Sequence, residues 1–407
     1  MWLTEASSLQ RRTLLAASLG WMLDSMDILL YSMVLATMMR DLHMSESTGG
    51  LMTSLTLAAS AVGGILFGML ADRMGRSKAL MGSILVYSIF TAACGLSQNL
   101  VQLAIFRIIL GLGMGGEWAS GAALVAETWP SQHRGKAFGV MQSSWAVGFG
   151  LAAAVTAVIL PRFGWRAVFF VGIIPALITF WIQRYVPEPE IWLRSKRELS
   201  DRPAEASLAV LWRPEYRRDL VVTTVANAGT MFAWWGLFTW IPAYLSLPVA
   251  KGGAGLDILK TSTWIILMQV GMWLGYVSFG FFSDWFGRRR AYVSFILIAA
   301  CIVPIYGITR NPLVLLFVGP VVAFFGTGYF SGFGAITAEI FPTSVRASAQ
   351  GLTYNLGRGV SAASPFLVGM LSAGRGLGSA FLLTSAAFFV AGFVALLLPE
   401  TQGRELA

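Results

Sequence analysis

Five ionisable side chains interrupt long apolar stretches of this chain: Asp24, Asp27, Arg107, Glu117 and Arg358. A charged group at the centre of a bilayer costs at least about 2.5–3.5 kcal/mol, so such groups face a polar cavity or pair with one another. A carboxyl group that alternates between a guanidinium and an apolar setting can load and release a proton. A buried guanidinium suits a carboxylate ligand through two parallel hydrogen bonds. The five residues therefore predict proton and organic-anion chemistry inside a membrane.

Arg358 is the main candidate for a residue that binds an anionic substrate. Its own apolar segment, 348–373, contains no acidic residue that could pair with it. Tyr354 and Ser361 share its helical face, and Asn355 lies one turn away. The alternative is that Arg358 pairs with one of the other buried charges, Glu117 or Asp24.

The composition identifies the elements that must position these residues. Hydrophobic residues make up 56% of the 407 residues and charged residues 12%, whereas a soluble domain usually carries about 25% charge. This excludes an ordinary soluble enzyme, a disordered chain and a collagen-like fibre. Apolar runs longer than the roughly 10-residue alternating strands of a membrane barrel favour helices. We therefore predict an all-α, multi-pass membrane protein.

Twelve apolar segments can be counted, and each is long enough to span a bilayer. One long polar stretch, 187–218, lies between the sixth and the seventh. The predicted organisation is a six-helix half over 1–186, a cytoplasmic linker over 187–218 and a second six-helix half over 219–407. The segment limits are 13–39, 49–71, 79–97, 100–126, 137–160, 166–186, 219–247, 261–283, 290–309, 312–336, 348–373 and 377–398.

Lysine and arginine concentrate in alternate loops, on the side of both termini and of the central linker. The positive-inside rule then predicts that both termini are cytoplasmic. The net charge of +9 follows from this topology, and we expect no nucleic-acid partner. The first apolar segment contains Asp24 and Asp27 and has no convincing cleavage site, so we expect it to be retained as a span.

The chain repeats itself with an offset of 212 residues. Gly68-Met-Leu-Ala-Asp72-Arg-Met-Gly-Arg76 recurs as Gly280-Phe-Phe-Ser-Asp284-Trp-Phe-Gly-Arg288. Glu127-Thr-Trp-Pro with Arg134 recurs as Glu339-Ile-Phe-Pro with Arg346, and Pro187-Glu188 recurs as Pro399-Glu400. One offset shared by three motifs predicts two pseudo-symmetric halves in parallel orientation. Such repeats are typical of transporters that bind substrate between the halves near the midplane.

These motifs resemble those of the major facilitator superfamily, and the resemblance covers essentially the whole chain. Gly68-x-x-x-Asp72-Arg-x-Gly-Arg76 resembles its loop between helices 2 and 3, and Arg107-x-x-x-Gly111-x-x-x-Gly115 resembles its helix 4 motif. Three further features are similar to the sialate/monocarboxylate:proton symporter branch. They are Leu23-Asp24-x-x-Asp27, Gly116-Glu117-Trp118, and Gly164-Trp165-Arg166-Ala167 followed by Pro187-Glu188-x-Glu190-x-Trp192. Aromatic-acid:proton symporters share the Asp-x-x-Asp pair.

The resemblance implies a contact between the helix 1 acid and the helix 4 base. Asp27 lies roughly 21 Å into its helix from the inner face and Arg107 roughly 10 Å from the outer face, so both fall in the outer half of the bilayer. We therefore assign proton coupling to Asp24, Asp27, Arg107 and Glu117. The alternatives are a structural ion pair between helices 1 and 4, and a protonated, hydrogen-bonded Glu117. His43 and His133 lie in loops and are excluded as proton carriers.

Polar and aromatic residues at mid-depth complete a predicted substrate site, although each aromatic residue could equally be a core residue. Besides Arg358, Tyr354, Asn355 and Ser361, the candidates are Trp118, Gln142, Trp145, Asn227, Trp234, Gln269 and Tyr329.

By analogy with the family, the charged loops form a cytoplasmic gate. The alternative is that these charges only set the membrane topology. The predicted members of the gate are Asp72, Arg76, Glu127 and Arg134, with the copies Asp284, Arg288, Glu339 and Arg346.

The predicted function is proton-coupled symport of a small organic anion by alternating access, and a monocarboxylate such as lactate, pyruvate or a sialic-acid-like acid is the first choice. A proton-coupled sugar or polyol porter, an aromatic-acid symporter, a drug exporter and a nutrient receptor are the alternatives. No phosphate-binding loop or metal-ligand cluster is present in the sequence, so we predict no enzyme activity, no cofactor and no metal. We expect a monomer in the plasma (inner) membrane, in contact with lipid, protons and the anion.

Overall fold

The computed structural model describes residues 6–129, 131–190, 193, 211–341 and 343–402. Every regular element in these ranges is a helix, which confirms the predicted all-α class. The α-helices are α1 Ser8–Asp41, α2 Glu46–Met74, α3 Arg76–Cys94, α4 Leu100–Thr128, α5 Ser131–Phe170, α6 Pro175–Tyr185, α7 Pro214–Ser246, α8 Ile258–Phe286, α9 Arg288–Ile308, α10 Pro312–Gly328, α11 Phe330–Ile340, α12 Thr343–Ser361, α13 Ala363–Arg375 and α14 Leu377–Ala395.

These helices form the twelve predicted spans. Ten stretches in the described ranges are long and apolar enough to cross a membrane by themselves. One of them, Ala137–Tyr185, contains two spans, because Gly164 takes φ 75° and ψ 175° and so breaks the helical path within α5. The eleventh span consists of α12 and α13, which are separated at Ala362 and are individually short.

Contacts divide the chain into two compact units. Unit 1 comprises 1–34 and 55–203, and unit 2 comprises 35–54 and 204–407. In unit 1, α3 packs along α4 and against α6. Glycines allow the close approach: a Cβ on Gly115 would collide with the Ser60 carbonyl, and one on Gly148 with the Met22 carbonyl. Small residues at such crossings are usual in membranes, where packing replaces the hydrophobic effect.

Unit 2 is arranged around α7, which packs against α12 and α14, while α8 packs along α10 and α9 along α14. The C-terminal end of α1 and the start of α2 belong to this unit. The Ser54 hydroxyl accepts a hydrogen bond from the Phe366 amide at 3.2 Å, and Gly50 lies against the Pro365 carbonyl. Residues 35–54 are therefore held by α13 rather than by unit 1.

The repeat of 212 residues extends to backbone conformation and helix caps. Gly75 and Gly287 have φ 117° and 103°, and Gly164 and Gly376 have φ 75° and 80°. The start of each corresponding helix is also capped by a corresponding side chain. Asn99 and Asn311 accept from the amides of Gln102 and Leu313 at 2.9 Å, and Ser45 and Asp257 accept from the amides of Thr48 and Lys260 at 3.1 and 2.8 Å.

Helix boundaries exceed the predicted apolar limits by several residues. α1 begins at Ser8 and α7 at Pro214, because polar residues at helix ends continue the helix beyond the hydrophobic segment. Pro214 occupies the first helical turn, where its missing N–H costs nothing. Most of the predicted linker, including 194–210, lies outside the described residues.

Candidate functional site

The two aspartates of α1 lie one helical turn apart and are both buried, with 1% exposure each. Glu117 of α4 is also fully buried, and its Oε1 would lie 2.5 Å from a Cβ placed on Gly20. The Tyr87 hydroxyl donates to the Gly20 carbonyl at 3.4 Å and lies within electrostatic range of all three acids. Unit 1 therefore brings the three predicted proton-carrying acids together around one tyrosine.

The expected contact between Asp27 and Arg107 is not formed in the structure. The Arg107 guanidinium lies over the Tyr31 ring, 4.1 Å from its centroid. Tyr31 is one turn beyond Asp27 along α1 and so stands at the depth of Arg107. A cation over an aromatic face is an effective contact when both are desolvated. The depth predicted for Arg107 thus matches Tyr31 better than Asp27.

Neither Asp27 oxygen and none of the Arg107 nitrogens has a hydrogen-bond partner among the residues that the structure describes. Asp27 lies beside Gly172, whose Cβ would be 3.3 Å from Oδ1. The adjacent Thr91 hydroxyl donates to the Tyr87 carbonyl at 2.8 Å. Cys94 lies within electrostatic range of both Asp27 and Arg107. An acid and a base therefore occupy one buried region of unit 1 without being bound to each other.

The substrate-site candidates on α4 and α5, Trp118, Gln142 and Trp145, differ in burial and in hydrogen bonding. Trp145 packs on Trp21, with 4.6 Å between ring centroids, and its carbonyl accepts from the Ser25 hydroxyl at 2.8 Å. Gln142 is half-buried, and its Oε1 has no hydrogen-bond partner in the described part of the chain. Trp118 is half-buried on α4. Gln142 Oε1 and the Trp145 indole Nε1 are thus both buried polar atoms without a hydrogen-bond partner in the described ranges.

Arg358 lies in the last turn of α12, four residues before Ala362, and is 2% exposed. Its guanidinium is 5.9 Å from the centroid of the Tyr354 ring. No carboxylate of unit 2 lies within ion-pair distance of it among the described residues. The Ser361 hydroxyl donates to the Arg358 carbonyl at 2.7 Å. The backbone keeps helical angles at Ala362, φ −58° and ψ −29°, so Arg358 lies buried within the nearly continuous span that α12 and α13 form.

Asn227 connects α7 to α12 beside this arginine. Its Nδ2 donates to the Thr353 carbonyl at 3.0 Å and would be 2.5 Å from a Cβ on Gly357. Its Oδ1 has no hydrogen-bond partner within the described ranges. Asn355 donates to the Gly351 carbonyl of its own helix at 3.0 Å. Asn227 therefore positions α12 and retains one acceptor, whereas the amide of Asn355 is engaged locally.

The aromatic candidates of unit 2 form part of a packed cluster. The Tyr329 hydroxyl donates to the Thr230 carbonyl at 3.3 Å, and its ring meets Tyr292 at 5.8 Å. Trp234 donates through Nε1 to the Thr327 hydroxyl at 3.2 Å and stacks on Phe238 at 4.9 Å. Both side chains are thus held rigidly, with their polar groups satisfied.

Sequence reasoning missed Tyr276 of α8. It is 8% exposed and lies within electrostatic range of Tyr354, which joins it to the surroundings of Arg358. Gln269 is two helical turns away on the same helix, and its Oε1 lacks a hydrogen-bond partner in the described chain. The signal that could have identified Tyr276 was its spacing of seven residues from Gln269 in an otherwise apolar helix.

Four of the eight predicted gate side chains are described, and they form one corresponding arginine–glutamate pair in each unit. Arg76 donates to Glu127 Oε1 from Nε at 3.0 Å and from a terminal nitrogen at 2.9 Å. Arg288 Nε lies 3.4 Å from Glu339 Oε1. The side chains of Asp72, Arg134, Asp284 and Arg346 lie outside the described part of the structure.

Glu188 and Glu400 have a role that the motif alone did not reveal. The Glu188 oxygens accept from the amides of Ser77 and Lys78, both at 3.1 Å. Glu400 Oε1 accepts from the amides of Arg288 at 2.8 Å and Arg289 at 3.4 Å. Each glutamate therefore caps the first turn of α3 or α9, where a negative charge also favours the helix dipole.

Comparison with known proteins agrees with this architecture. The family model "Major Facilitator Superfamily" matches residues 16–254, and "Sugar (and other) transporter" matches 254–407. The chain belongs to the major facilitator superfamily. It is a multi-pass membrane transporter with the twelve-helix fold of that family, and not an enzyme.

Three similar proteins span nearly the whole chain. The cis,cis-muconate transport protein of Acinetobacter baylyi is 30% identical over 95% of this chain and 94% of its own length. The sialic acid transporter NanX of Escherichia coli is 29% identical over 95% and 93%. A crystal structure of a D-xylose–proton symporter has a TM-score of 0.76 at 19% identity and covers 97% of this chain and 99% of its own.

Proposed function

We propose that the protein is a proton-coupled symporter of a small organic acid and that Arg358 binds the carboxylate of the substrate. The observation that carries the proposal is a guanidinium with 2% exposure in the span formed by α12 and α13, with no carboxylate of its own unit beside it in the described ranges. A buried cation without a fixed counter-ion is costly unless an anionic ligand completes it. A neutral sugar would not need such a group.

The surroundings of Arg358 favour a planar acid as the substrate. Tyr354 and Tyr276 supply aromatic surface, and the free oxygen of Asn227 can accept a hydrogen bond. Aromatic side chains provide large apolar area to a conjugated ligand, and a few polar groups fix its orientation. The relatives are named for muconate, a conjugated acid, and for sialic acid, a sugar acid. We therefore place conjugated carboxylic acids ahead of lactate and pyruvate.

We assign proton coupling to the acids of unit 1. A carboxyl group away from water and without a hydrogen-bond partner is held at lower cost as a neutral acid than as an anion. Asp27 is such a group, and Arg107 occupies the same buried region without binding it. We propose that Asp27 carries the proton, that Arg107 stabilises the carboxylate after the proton leaves, and that Asp24 and Glu117 relay it.

We further propose a monomer in the plasma (inner) membrane with both termini cytoplasmic, because the arginine-rich loops lie on the side of the termini. The functional halves are 1–186 and 219–407, joined by 187–218. Alternating access of these halves would carry the acid and the proton together.

A ligand panel followed by transport tests this proposal. Purified protein is heated with cis,cis-muconate, benzoate, sialic acid, lactate or D-xylose, because a bound ligand raises the midpoint of unfolding by mass action. We expect stabilisation by the acids and none by D-xylose. Uptake of the best acid into proteoliposomes should then require an imposed pH gradient. Stabilisation by D-xylose alone would instead support a sugar porter, and accumulation without a gradient would exclude proton coupling.

A further inference from the structure

A cavity of about 220 Å³ opens on unit 2 where α8 ends and α9 begins. It is separate from the surroundings of Arg358, which lie far along α12. Two arginines and four smaller or apolar residues line it: Phe286, Arg289, Arg290, Val293, Ser294 and Leu396. The cavity thus combines positive charge with apolar walls.

Not all of the positive charge at this cavity is neutralised by neighbouring carboxylates. Of three consecutive arginines, Arg288 is engaged by Glu339 and by the Ser283 hydroxyl, to which it donates at 2.8 Å. Arg289 donates to the Leu398 carbonyl at 3.3 Å. Arg290 is exposed, and no carboxylate of unit 2 lies within ion-pair distance of it in the described ranges. The positive charge of Arg289 and Arg290 therefore remains available to a ligand.

The start of α9 does not need these side chains for capping, because Glu400 already accepts from the amides of Arg288 and Arg289. A free anion bound at the helix end would also meet the negative charge of Glu400. The ligand must therefore be held by the guanidinium groups rather than by the helix amides.

The walls of the cavity continue into an apolar surface. Phe286 is 38% exposed and Leu396 49%, and the neighbouring Trp285 is 80% exposed. Exposed aromatic residues at the end of a membrane span mark the level of the lipid headgroups. An occupant with a phosphate group and acyl chains would fit both parts of this surface.

We propose that this cavity binds the phosphate of an anionic phospholipid, with Arg289 and Arg290 on the phosphate and the acyl chains along Phe286 and Leu396. Basic pockets between membrane helices at the headgroup level recognise such lipids, and each basic residue contributes about 1 kcal/mol. The lipid would thereby attach to the helix that carries the Arg288–Glu339 network.

The repeat offers a matched control for charge alone. The positions that correspond to Arg289 and Arg290 in unit 1 are Ser77 and Lys78. Ser77 is buried, and its hydroxyl donates to the Pro187 carbonyl at 3.3 Å. Arg184 corresponds to Leu396 and lies over the Tyr185 ring at 5.9 Å. The copy is therefore equally basic, but without adjacent arginines.

The test is lipid retention by the full-length protein in detergent, measured by native mass spectrometry with phosphatidylglycerol and phosphatidylcholine as probes. We expect preferential retention of phosphatidylglycerol. Arg290→Ala should weaken it about fivefold, and the double variant R289A/R290A should weaken it further. Arg290→Lys should retain part of the effect. The control K78A/R184A should change it less than about twofold.

Three results would overturn the proposal. An equal loss of phosphatidylglycerol retention in K78A/R184A would show that the lipid responds to the general positive charge of the protein and not to this cavity. Equal retention of phosphatidylcholine would show that the phosphate charge is not recognised. Displacement of the lipid by glycerol phosphate as readily as by phosphatidylglycerol would make the ligand a free phosphate. Thermal unfolding of each variant distinguishes loss of the lipid from loss of the fold.

Discussion

The two repeats of this protein are alike where their helices begin and different where their spans are deepest. Glu188 and Glu400 cap α3 and α9 in the same way, and the positive φ of Gly75 recurs at Gly287. At mid-depth, unit 1 contains three buried acids and Arg107, whereas unit 2 contains Arg358 with no buried acid in its described spans. The two repeats share this geometry because in both the first turn of the helix has backbone amides that need a hydrogen-bond acceptor.

The difference at mid-depth indicates that the two units have different functions. A region with several acids is suited to carry protons, and a region with one cation and aromatic surroundings is suited to bind an anion. The proposal therefore assigns coupling to unit 1 and substrate binding to unit 2. Variants in corresponding or contrasting positions of the two units can break or sharpen that assignment.

The largest effect is expected for Asp27→Asn. An amide cannot carry the proton, so uphill accumulation driven by a pH gradient should be abolished, while exchange of substrate across the membrane should continue. The measurement is uptake and exchange in proteoliposomes. Thr91→Val, which alters the adjacent side chain without removing an acid, is the control and should accumulate substrate. Accumulation by Asp27→Asn would transfer the coupling role to Asp24 or Glu117.

An intermediate effect is expected for Glu127→Gln and Glu339→Gln. Each removes the negative partner of one arginine network, Arg76 in unit 1 and Arg288 in unit 2. Partly exposed pairs contribute about 0–1 kcal/mol, so each variant should raise labelling of cysteines introduced on this face by less than about fivefold. Unchanged labelling in both would leave these residues as topology determinants.

The smallest effect concerns the caps of α2 and α8. The hydrogen bond from the Lys260 amide, helped by the Lys260 side chain, lowers the pKa of Asp257, whereas its counterpart Ser45 does not titrate. A lowered carboxyl pKa in the folded state gives stability that is present above the unfolded pKa and is lost as the pH falls through the folded one. The protection factor of the Lys260 amide, which corrects its hydrogen-exchange rate for the intrinsic rate at each pH, should fall about twofold on acidification, and that of Thr48 should not. Equal responses would contradict the cap assignment.

Much of the fold could be predicted from the sequence because it depends on patterns that repeat. Hydrophobic length predicted the spans, and the offset of 212 residues predicted paired motifs, although not the cap that Glu188 and Glu400 provide. The span formed by α12 and α13 was predicted as a single segment, although Pro365 marks the interruption, because it lacks the N–H that would bond to the Ser361 carbonyl.

Less of the site could be predicted, because side-chain contacts depend on helix rotation and on shifts of a single turn. A difference of four residues along α1 decides whether Arg107 meets Asp27 or Tyr31, and depth arithmetic cannot distinguish them. Tyr276 was missed because only its spacing from Gln269 distinguishes it from a core tyrosine, and its proximity to Tyr354 cannot be read from the sequence.

Substrate affinity of two arginine variants, measured by calorimetry at one pH, tests the division between the units most directly. Removing a buried charged partner of a ligand costs about 2–5 kcal/mol, so Arg358→Ala should weaken binding of a carboxylate by about 30-fold or more. Arg358→Lys should rescue little, because the planar fork is lost. Arg107→Gln should bind nearly as well as the wild type. Binding by Arg358→Ala within about threefold of the wild type, or an equal loss in Arg107→Gln, would contradict the account.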